Sequence, residues 1–272
     1  MTGRVCIVTG ANSGIGKEIA RGLAGLHATV ILACRSVERG ERARAEIAQE
    51  TGAVPLAVME LDLARLESVR AFAAAFTATH DRLHLLVNNA GIYTAKRALT
   101  GDGVESTFAS NHLGHFLLTN LVLETLRAGA PSRIINVSSE ASQMGTIHFD
   151  DPNLSKDLLF TAELARRLEG SGVAAYSMHP GAVRSGWGRR SGGFMSIGVR
   201  LAAPFLISPA KGADTAVWLA SAADVGAPPG TYFYKRRPLA PNPIARDATS
   251  ARRLWDLSET WTALHAPVGI PS

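Results

Sequence analysis

The chain has 272 residues, 46% of them hydrophobic and 19% charged, which is enough to bury one large core in a single domain. The formal charge of +5 is spread over several short basic groups, which argues against a nucleic-acid partner. Without an apolar run of membrane-spanning length, a signal segment or a cysteine framework, we expect a cytoplasmic protein with no membrane anchor and no disulfides.

Short β-branched runs alternate with helical patterns, which predicts a parallel sheet with helices on both faces. The predicted strands cover residues 4–8, 29–33, 54–59, 84–88, 133–137, 173–178 and 230–233. The predicted helices cover residues 15–26, 37–50, 65–79, 103–127, 153–169, 209–222 and 245–265. This order predicts an α/β fold of the Rossmann type, with residues 1–272 forming one domain around a doubly wound parallel sheet. In such sheets the ligand lies beyond the carboxyl ends of the strands.

A glycine-rich bend, Thr-Gly-Ala-Asn-Ser-Gly-Ile-Gly, occupies residues 9–16 between the first strand and the first helix. A strand that breaks on glycines and restarts as a helix leaves N–H groups directed at one place, where a pyrophosphate is attracted. The glycines allow a tight turn, close approach of backbone to phosphate, and packing of helix on strand. A bend without a ligand is the alternative. The predicted cofactor-binding residues of this bend are Gly10, Asn12, Ser13, Gly14, Ile15 and Gly16.

Arg35 follows the second strand, where a carboxylate would hold the ribose hydroxyls of NAD. An arginine there can pair with the 2′-phosphate of NADP, so the sequence favours NADP(H) over NAD(H) as cofactor. An exposed arginine at a helix start is the simpler alternative. Asp62 and Leu63 follow the third strand, and Asp62 could accept from the adenine amino group or cap the next helix.

After the fourth strand, residues 88–91 read Asn-Asn-Ala-Gly, and from this point the chain resembles the short-chain dehydrogenase/reductase family. The other motifs that carry the resemblance are the glycine bend, Asp62-Leu63, Asn111, Ser138-Ser139 and Pro180-Gly181. Residues 111–116, 165–170 and 251–255 are similar to the retinol dehydrogenase and WW-domain oxidoreductase branch. The resemblance runs from residue 4 to about residue 264.

The resemblance implies hydride transfer at a nicotinamide, with a tetrad of asparagine, serine, tyrosine and lysine. Asn111 matches the asparagine, which holds a water of a proton relay. Ser139 matches the serine, which orients the substrate carbonyl, although it could merely cap a strand end. Lys156 matches the lysine, which lowers the pKa of the tyrosine and holds the nicotinamide ribose. The cofactor contacts that the resemblance implies are Asn89, Ala90, Gly91, Pro180, Gly181 and the backbone N–H of Val183.

The tyrosine of the family's Tyr-x-x-Ser-Lys motif is missing, because its position is occupied by Pro152. No tyrosine lies between Tyr93 and Tyr176. A proline has no ionisable group, and Asp151 followed by Pro152 is typical of a helix start. Losing general acid–base assistance lowers a rate by roughly 10²–10⁴, without abolishing cofactor binding.

A second alignment counts back from the Leu-Leu-Phe run at residues 158–160 and puts Leu154 at the lysine position and Asp150 at the tyrosine position. The two alignments differ by two residues, which is a rotation of about 200° on a helix. On the second alignment Lys156 points away from the cofactor. Residues 147–155 also form a shorter segment than the corresponding segment in the retinol dehydrogenase and WW-domain oxidoreductase branch.

Other side chains could take the place of the tyrosine. Tyr93 directly follows residues 89–92 at the carboxyl end of the fourth strand and so could face the cleft, although lining the substrate pocket is its simpler role. His148, Asp150 and Asp151 lie near the lost position. A metal site is not expected, since the histidine pair at residues 112 and 115 lacks a further carboxylate or cysteine.

Residues 185–208 are rich in glycine and apolar side chains and match the family's substrate lid, which suits a bulky hydrophobic group on a small lipophilic substrate. A buried helix pair or a partner surface is the alternative. Residues 245–265 form a C-terminal helix that covers the core. The resemblance allows a homodimer or homotetramer, paired through the helices carrying Asn111 and Lys156. Three functions remain: an atypical NADP(H)-dependent oxidoreductase on a lipophilic alcohol or ketone, a redox-neutral cyclase, isomerase or dehydratase, and a non-catalytic NADP-binding protein.

Overall fold

The computed structural model describes residues 1–53, 56–92, 97–138, 156–183 and 206–264. Within these ranges eight strands form one sheet in the order β3-β2-β1-β4-β5-β6-β7-β8. All neighbouring pairs are parallel except β7 and β8. The strands are β1 Val5–Thr9, β2 Thr29–Cys34, β3 Leu56–Glu60, β4 Leu85–Asn88, β5 Ser132–Val137, β6 Val173–Met178, β7 Tyr232–Tyr234 and β8 Arg237–Pro238.

The helices alternate with the strands along the chain, as the parallel sheet requires. Among the described residues they are α1 Gly14–Gly25, α2 Val37–Thr51, α3 Leu66–Thr77, α4 Ser106–Phe108, α5 Gly114–Leu121, α6 Leu123–Ala128, α7 Lys156–Arg167, α8 Pro209–Ser221 and α9 Ala248–Thr262. A π-helical segment, Ala109–Leu113, joins α4 to α5, and a 3₁₀ turn, Pro243–Arg246, precedes α9. The predicted α/β fold with a doubly wound parallel sheet is confirmed.

Two details of the predicted elements are wrong. The single helix expected over 103–127 is divided into α4, the π-helical segment, α5 and α6. The short antiparallel strand β8 was not expected, because two residues are too few to show a period. It follows a tight turn in which Lys235 and Arg236 both have positive φ, 48° and 61°. The guanidinium of Arg236 holds this turn against Asp214 of α8.

The sheet has a core on each face, because successive side chains of a strand point to opposite sides. Cys6 and Val8 of β1 face the layer formed by α1, α2 and α8, whereas Ile7 between them faces α3, α5 and α7. The C-terminal helix α9 extends the second layer. Trp255 of α9 packs against Phe116 and Phe160, with ring centroids 4.9 and 5.9 Å away. Among the described helices, none is long and apolar enough to cross a lipid bilayer.

Candidate active site

The bend between β1 and α1 depends on its glycines. Gly10 and Gly14 have positive φ, 67° and 58°, a region that L side chains rarely adopt. A Cβ on Gly16 would lie 2.4 Å from Nδ2 of Asn89 and 2.6 Å from the carbonyl oxygen of Gly10. A Cβ on Gly14 would meet no heavy atom within 4 Å. The bend is therefore closed on its sheet side and open at the start of α1.

The start of α1 can receive an anion. Ser13 precedes the helix in an extended conformation and makes no capping hydrogen bond with its side chain. The first N–H groups of a helix have no partner within the helix and carry its positive dipole end. These features fit a phosphate group, so Gly14, Ile15 and Gly16 lie where the sequence predicted a pyrophosphate to bind.

A buried hydroxyl joins the glycine bend to the end of β4. Oγ1 of Thr9 accepts from the backbone N–H groups of Asn89 and Ala90, at 2.9 and 3.0 Å. The amide of Asn89 in turn donates to the carbonyl oxygen of Thr9 at 2.8 Å. Asn89 and Ala90 therefore act as supports of the bend, a role that the sequence did not reveal.

His115 of α5 completes this network. Nε2 of His115 lies 2.9 Å from Oγ1 of Thr9, and Nδ1 lies 3.2 Å from the carbonyl oxygen of Asn111. Because a carbonyl only accepts, Nδ1 carries the proton and Nε2 accepts from the Thr9 hydroxyl. Burial lowers the pKa of His115 to about 4, so this ring is neutral at physiological pH.

Asn111 lies in the π-helical segment and fastens the turn after β4. Its Oδ1 accepts from the N–H of Ile92 at 2.8 Å, and its Nδ2 donates to the carbonyl of Ile92 at 2.9 Å. The next helix approaches the β3 end closely, since a Cβ on Gly114 would lie 2.4 Å from the carbonyl oxygen of Leu63. The π-helical segment thus brings Asn111, Gly91 and Leu63 to one edge of the sheet.

Asp62 shapes the turn before α3. Its Oδ1 accepts from the N–H of Ala64 at 3.1 Å, and its own N–H donates to Oγ of Ser68 at 3.0 Å. The residue that precedes α3 is Arg65, which makes no side-chain cap. Asp62 therefore caps a turn and not the helix itself, and its contact with an adenine stays a prediction.

Two arginines follow β2, and one of them contacts the glycine bend. Arg35 is exposed after β2, which agrees both with the predicted 2′-phosphate contact and with the simpler alternative of a surface arginine. Arg39 was missed, yet its guanidinium lies 3.2 and 3.3 Å from the Asn12 amide oxygen once that amide is oriented to accept. A signal was available, because Arg39 is a basic residue in the first turn of α2, close in sequence to Arg35.

The first turn of α7 lies beside the end of β5. Lys156 is 3% exposed, and its Nζ lies 5.7 Å from the ring centroid of Phe108. Its charge helps to lower the pKa of His112 and of His115, for which burial is the main cause. Burial raises the pKa of the Asp157 carboxyl to about 6, and the Lys156 charge and the Ser138 side chain oppose this shift. Lys156 is therefore held among the helices that carry Asn111.

Aromatic side chains flank the turn after β6. His179 stacks on Tyr234, with ring centroids 4.1 Å apart, and its Nδ1 accepts from the N–H of Gly181 at 3.2 Å. Gly181 has a φ of 83°. Val183 pairs with Ile207 in a short parallel bridge. This bridge fixes the Pro180–Val183 turn, and the sequence had not indicated that Tyr234 would line it.

Several predicted residues lie outside the described ranges. These are Tyr93, Ser139, His148, Asp150, Asp151, Pro152 and most of the 185–208 segment. The structure therefore brings together the glycine bend, Asp62, Leu63, Asn89, Ala90, Gly91, Asn111 and Lys156, along with the turn from Pro180 to Val183.

Comparison with known proteins agrees with this arrangement. Residues 4–192 match the short chain dehydrogenase family. The chain is 45% identical to retinol dehydrogenase 11 of Homo sapiens, over 95% of this chain and 85% of that protein. It is 42% identical to retinol dehydrogenase 13 of Homo sapiens, over 97% of this chain and 86% of that protein.

Solved structures share the fold. A crystal structure of an uncharacterised protein from Mycobacterium paratuberculosis is 35% identical and covers 96% of this chain and 94% of its own, with a TM-score of 0.76. A metagenomic short-chain oxidoreductase in complex with NADP is 26% identical and covers 82% of this chain and 92% of its own, with a TM-score of 0.63.

Proposed function

This chain belongs to the retinol dehydrogenase branch of the short-chain dehydrogenase/reductase family, and from that premise we propose that it is an atypical NADP(H)-dependent oxidoreductase. Its proposed substrate is a lipophilic alcohol or ketone. The observation that carries the proposal is the glycine bend, which is closed by Asn89 on one side and open at the first turn of α1 on the other. When bound there, the nicotinamide cofactor would supply or accept the hydride.

Two positive charges support NADP(H) over NAD(H). Arg39 contacts the amide of Asn12 in the bend, and Arg35 is exposed directly after β2, so we assign both guanidiniums to the 2′-phosphate of the adenosine ribose. A 2′-phosphate carries about two negative charges, and a guanidinium binds such a group through paired hydrogen bonds. Asp62 carries a carboxylate at this edge of the sheet, but its Oδ1 already accepts a hydrogen bond from the N–H of Ala64.

The rest of the site would hold and orient the reacting groups. The Pro180–Val183 turn would receive the carboxamide of the nicotinamide through the N–H of Val183. Asn111 holds the turn after β4 through its side chain, and its backbone carbonyl accepts from Nδ1 of His115. Ser139 would orient the substrate oxygen. A lipophilic substrate is supported by the names of the relatives and by the apolar composition of residues 185–208.

One observation favours a second candidate. No tyrosine lies between Tyr93 and Tyr176, and the family's tyrosine position holds Pro152 on one alignment and Asp150 on the other, neither of which is a phenol. A redox-neutral catalyst, or a protein that binds NADP without turnover, would tolerate this loss, whereas ordinary hydride transfer would slow by roughly 10²–10⁴.

Fluorescence titration with NADPH and with NADH tests the cofactor, and a screen of lipophilic ketones and aldehydes for loss of the NADPH absorbance tests the reaction. The proposal expects tighter binding of NADPH than of NADH and slow oxidation of NADPH with a carbonyl substrate. Binding of neither nucleotide would refute it. Binding without oxidation would favour the second candidate.

A further inference from the structure

The contact between α9 and the π-helical segment holds a pair of polar side chains among apolar ones. Ala251 and Leu254 of α9 belong to one buried apolar cluster with Leu113 of the segment. In the same contact, Nε2 of His112 lies 2.8 Å from Oγ of Ser258, and the two residues are 1% and 0% exposed. Burying a polar group costs free energy unless it finds a partner, so this imidazole nitrogen depends on the serine.

The serine accepts its hydrogen bond from the histidine. Oγ of Ser258 also lies 2.7 Å from the carbonyl oxygen of Leu254, to which it donates. A hydroxyl has one hydrogen, so the contact with His112 requires the proton on Nε2 of the imidazole. The ring of His112 also packs against Phe108 and Phe160, with ring centroids 5.2 and 5.7 Å away. The side chain of His112 is therefore held in one orientation, and α9 supplies the polar contact that fixes it.

α9 is itself held by contacts that do not involve Ser258. Its carboxyl end receives hydrogen bonds from the guanidinium of Arg70 in α3, which donates to the carbonyl oxygens of Thr262 and Ala263 at 2.7 and 3.1 Å. Its middle is held by Trp255, whose indole packs against aromatic rings of α5 and α7. α9 can therefore act as a fixed support for the segment beside it.

The π-helical segment is the element that needs a support. Such turns are rare in proteins and occur mostly as single-turn insertions within α-helices. A return to α-helical hydrogen bonding would rotate one end of the segment by about 100° relative to the other. Asn111 lies inside the segment and holds Ile92 through two hydrogen bonds, which this rotation would break. His112 directly follows Asn111, so a contact that fixes the first also restrains the second.

We propose that Ser258 is a positioning residue of the candidate active site. Its bond to His112 holds residues 109–113 in the π-helical form, and this form keeps the side chain of Asn111 on the turn after β4. Ser258 acts through His112 and Asn111, and not on the reacting groups themselves. The consequence for catalysis rests on the proposed function, in which Asn111 belongs to the proton relay. The consequence for the turn after β4 does not.

The amide of Ile92 reports on Asn111 directly, because its N–H donates to Oδ1 of Asn111 at 2.8 Å. The test compares hydrogen exchange of this amide, followed by NMR, in the wild type, Ser258→Ala and the control Thr262→Val. Thr262 is a buried residue one turn further along α9, and its hydroxyl bonds within the helix to the carbonyl oxygen of Ser258 at 2.7 Å. The control therefore also removes a buried hydroxyl of α9, but away from the π-helical segment.

Ser258→Ala should speed exchange at Ile92 about fivefold to tenfold, which is the effect of about one lost hydrogen bond. Thr262→Val should leave that rate unchanged. Asn111→Ala should itself speed the exchange, and adding Ser258→Ala to it should change the rate by less than about twofold, because the bond through which Ser258 acts is already gone. In assays of NADPH oxidation, Ser258→Ala should lower kcat by about tenfold to 10²-fold and leave the Kd of NADPH within about twofold of the wild type.

Exchange at Ile92 that is equal in Ser258→Ala and the wild type would overturn the inference, and so would an equal rise in Thr262→Val. A wild-type kcat in Ser258→Ala, despite faster exchange at Ile92, would overturn its catalytic part. If the wild type oxidises no NADPH with any carbonyl, the proposed function fails, while faster exchange in Ser258→Ala alone would still support the positioning of Asn111.

Discussion

Replacing Gly16 by alanine tests the glycine bend through a single added methyl group. The new Cβ would lie 2.4 Å from Nδ2 of Asn89 and 2.6 Å from the carbonyl oxygen of Gly10. The carbonyl is backbone and cannot turn aside, so either α1 moves off the sheet or Asn89 gives up its 2.8 Å bond to Thr9. Overpacking of this kind costs about 1–3 kcal/mol, and the lost hydrogen bond about 1 kcal/mol.

We therefore expect Gly16→Ala to lower the free energy of unfolding by about 2 kcal/mol and to weaken NADPH binding about tenfold or more. Urea denaturation gives the first quantity, and quenching of protein fluorescence by NADPH gives the second. Gly25→Ala is the matched control, since Gly25 ends the same helix and a Cβ there meets nothing within 4 Å. It should be neutral or stabilising by up to about 1 kcal/mol, with unchanged NADPH affinity. A Gly16→Ala protein with wild-type stability and affinity would refute the reasoning.

Three further predictions follow from the contacts around the bend. Thr9→Val leaves the N–H groups of Asn89 and Ala90 without their acceptor, so urea denaturation should show a free energy of unfolding lower by about 2–4 kcal/mol. Thr9→Ser keeps the hydroxyl and should retain most of the wild-type stability. Equal stability of the two variants would contradict the network. Arg39→Gln should raise the Kd of NADPH about tenfold and leave that of NADH nearly unchanged, with the exposed Arg42→Gln as control, and an equal loss for both nucleotides would argue against a 2′-phosphate contact. Because the pKa of His115 is about 4 when folded and 6.5 when unfolded, the unfolded state binds more protons between these values, and stability should fall as the pH drops through this window. His115→Asn should reduce that slope in urea titrations at pH 4.5 and 6.5, and an unchanged slope would mean that this histidine is not the neutral group described.

The fold could be predicted from the sequence because its signals are local. Apolar runs of strand length alternate with helical periods, and the glycines of residues 9–16 interrupt the pattern at one point. The network that supports the bend could not be predicted, since Thr9 and His115 are 106 residues apart and their pairing depends on the π-helical segment. That segment has no periodic signature of its own, so the sequence indicated one continuous helix.

The part of the site around Lys156 could not be predicted for a different reason. The sequence allowed two alignments of Lys156 that differ by about half a helical turn, and nothing local distinguishes them. Packing determines where the lysine goes: Lys156 is buried and lies over the ring of Phe108. The loss of the tyrosine stays a prediction from the sequence, which has no tyrosine between Tyr93 and Tyr176.

The most direct test of the account is to follow the hydride itself. The protein is incubated with NADPH carrying deuterium at the transferring position of nicotinamide C4 and with a lipophilic aldehyde such as retinal, and the product is analysed by mass spectrometry. The account predicts an alcohol that is one mass unit heavier, formed slowly and with one NADPH consumed per product. Bound NADPH with no labelled alcohol, or a product formed without any loss of NADPH, would contradict it.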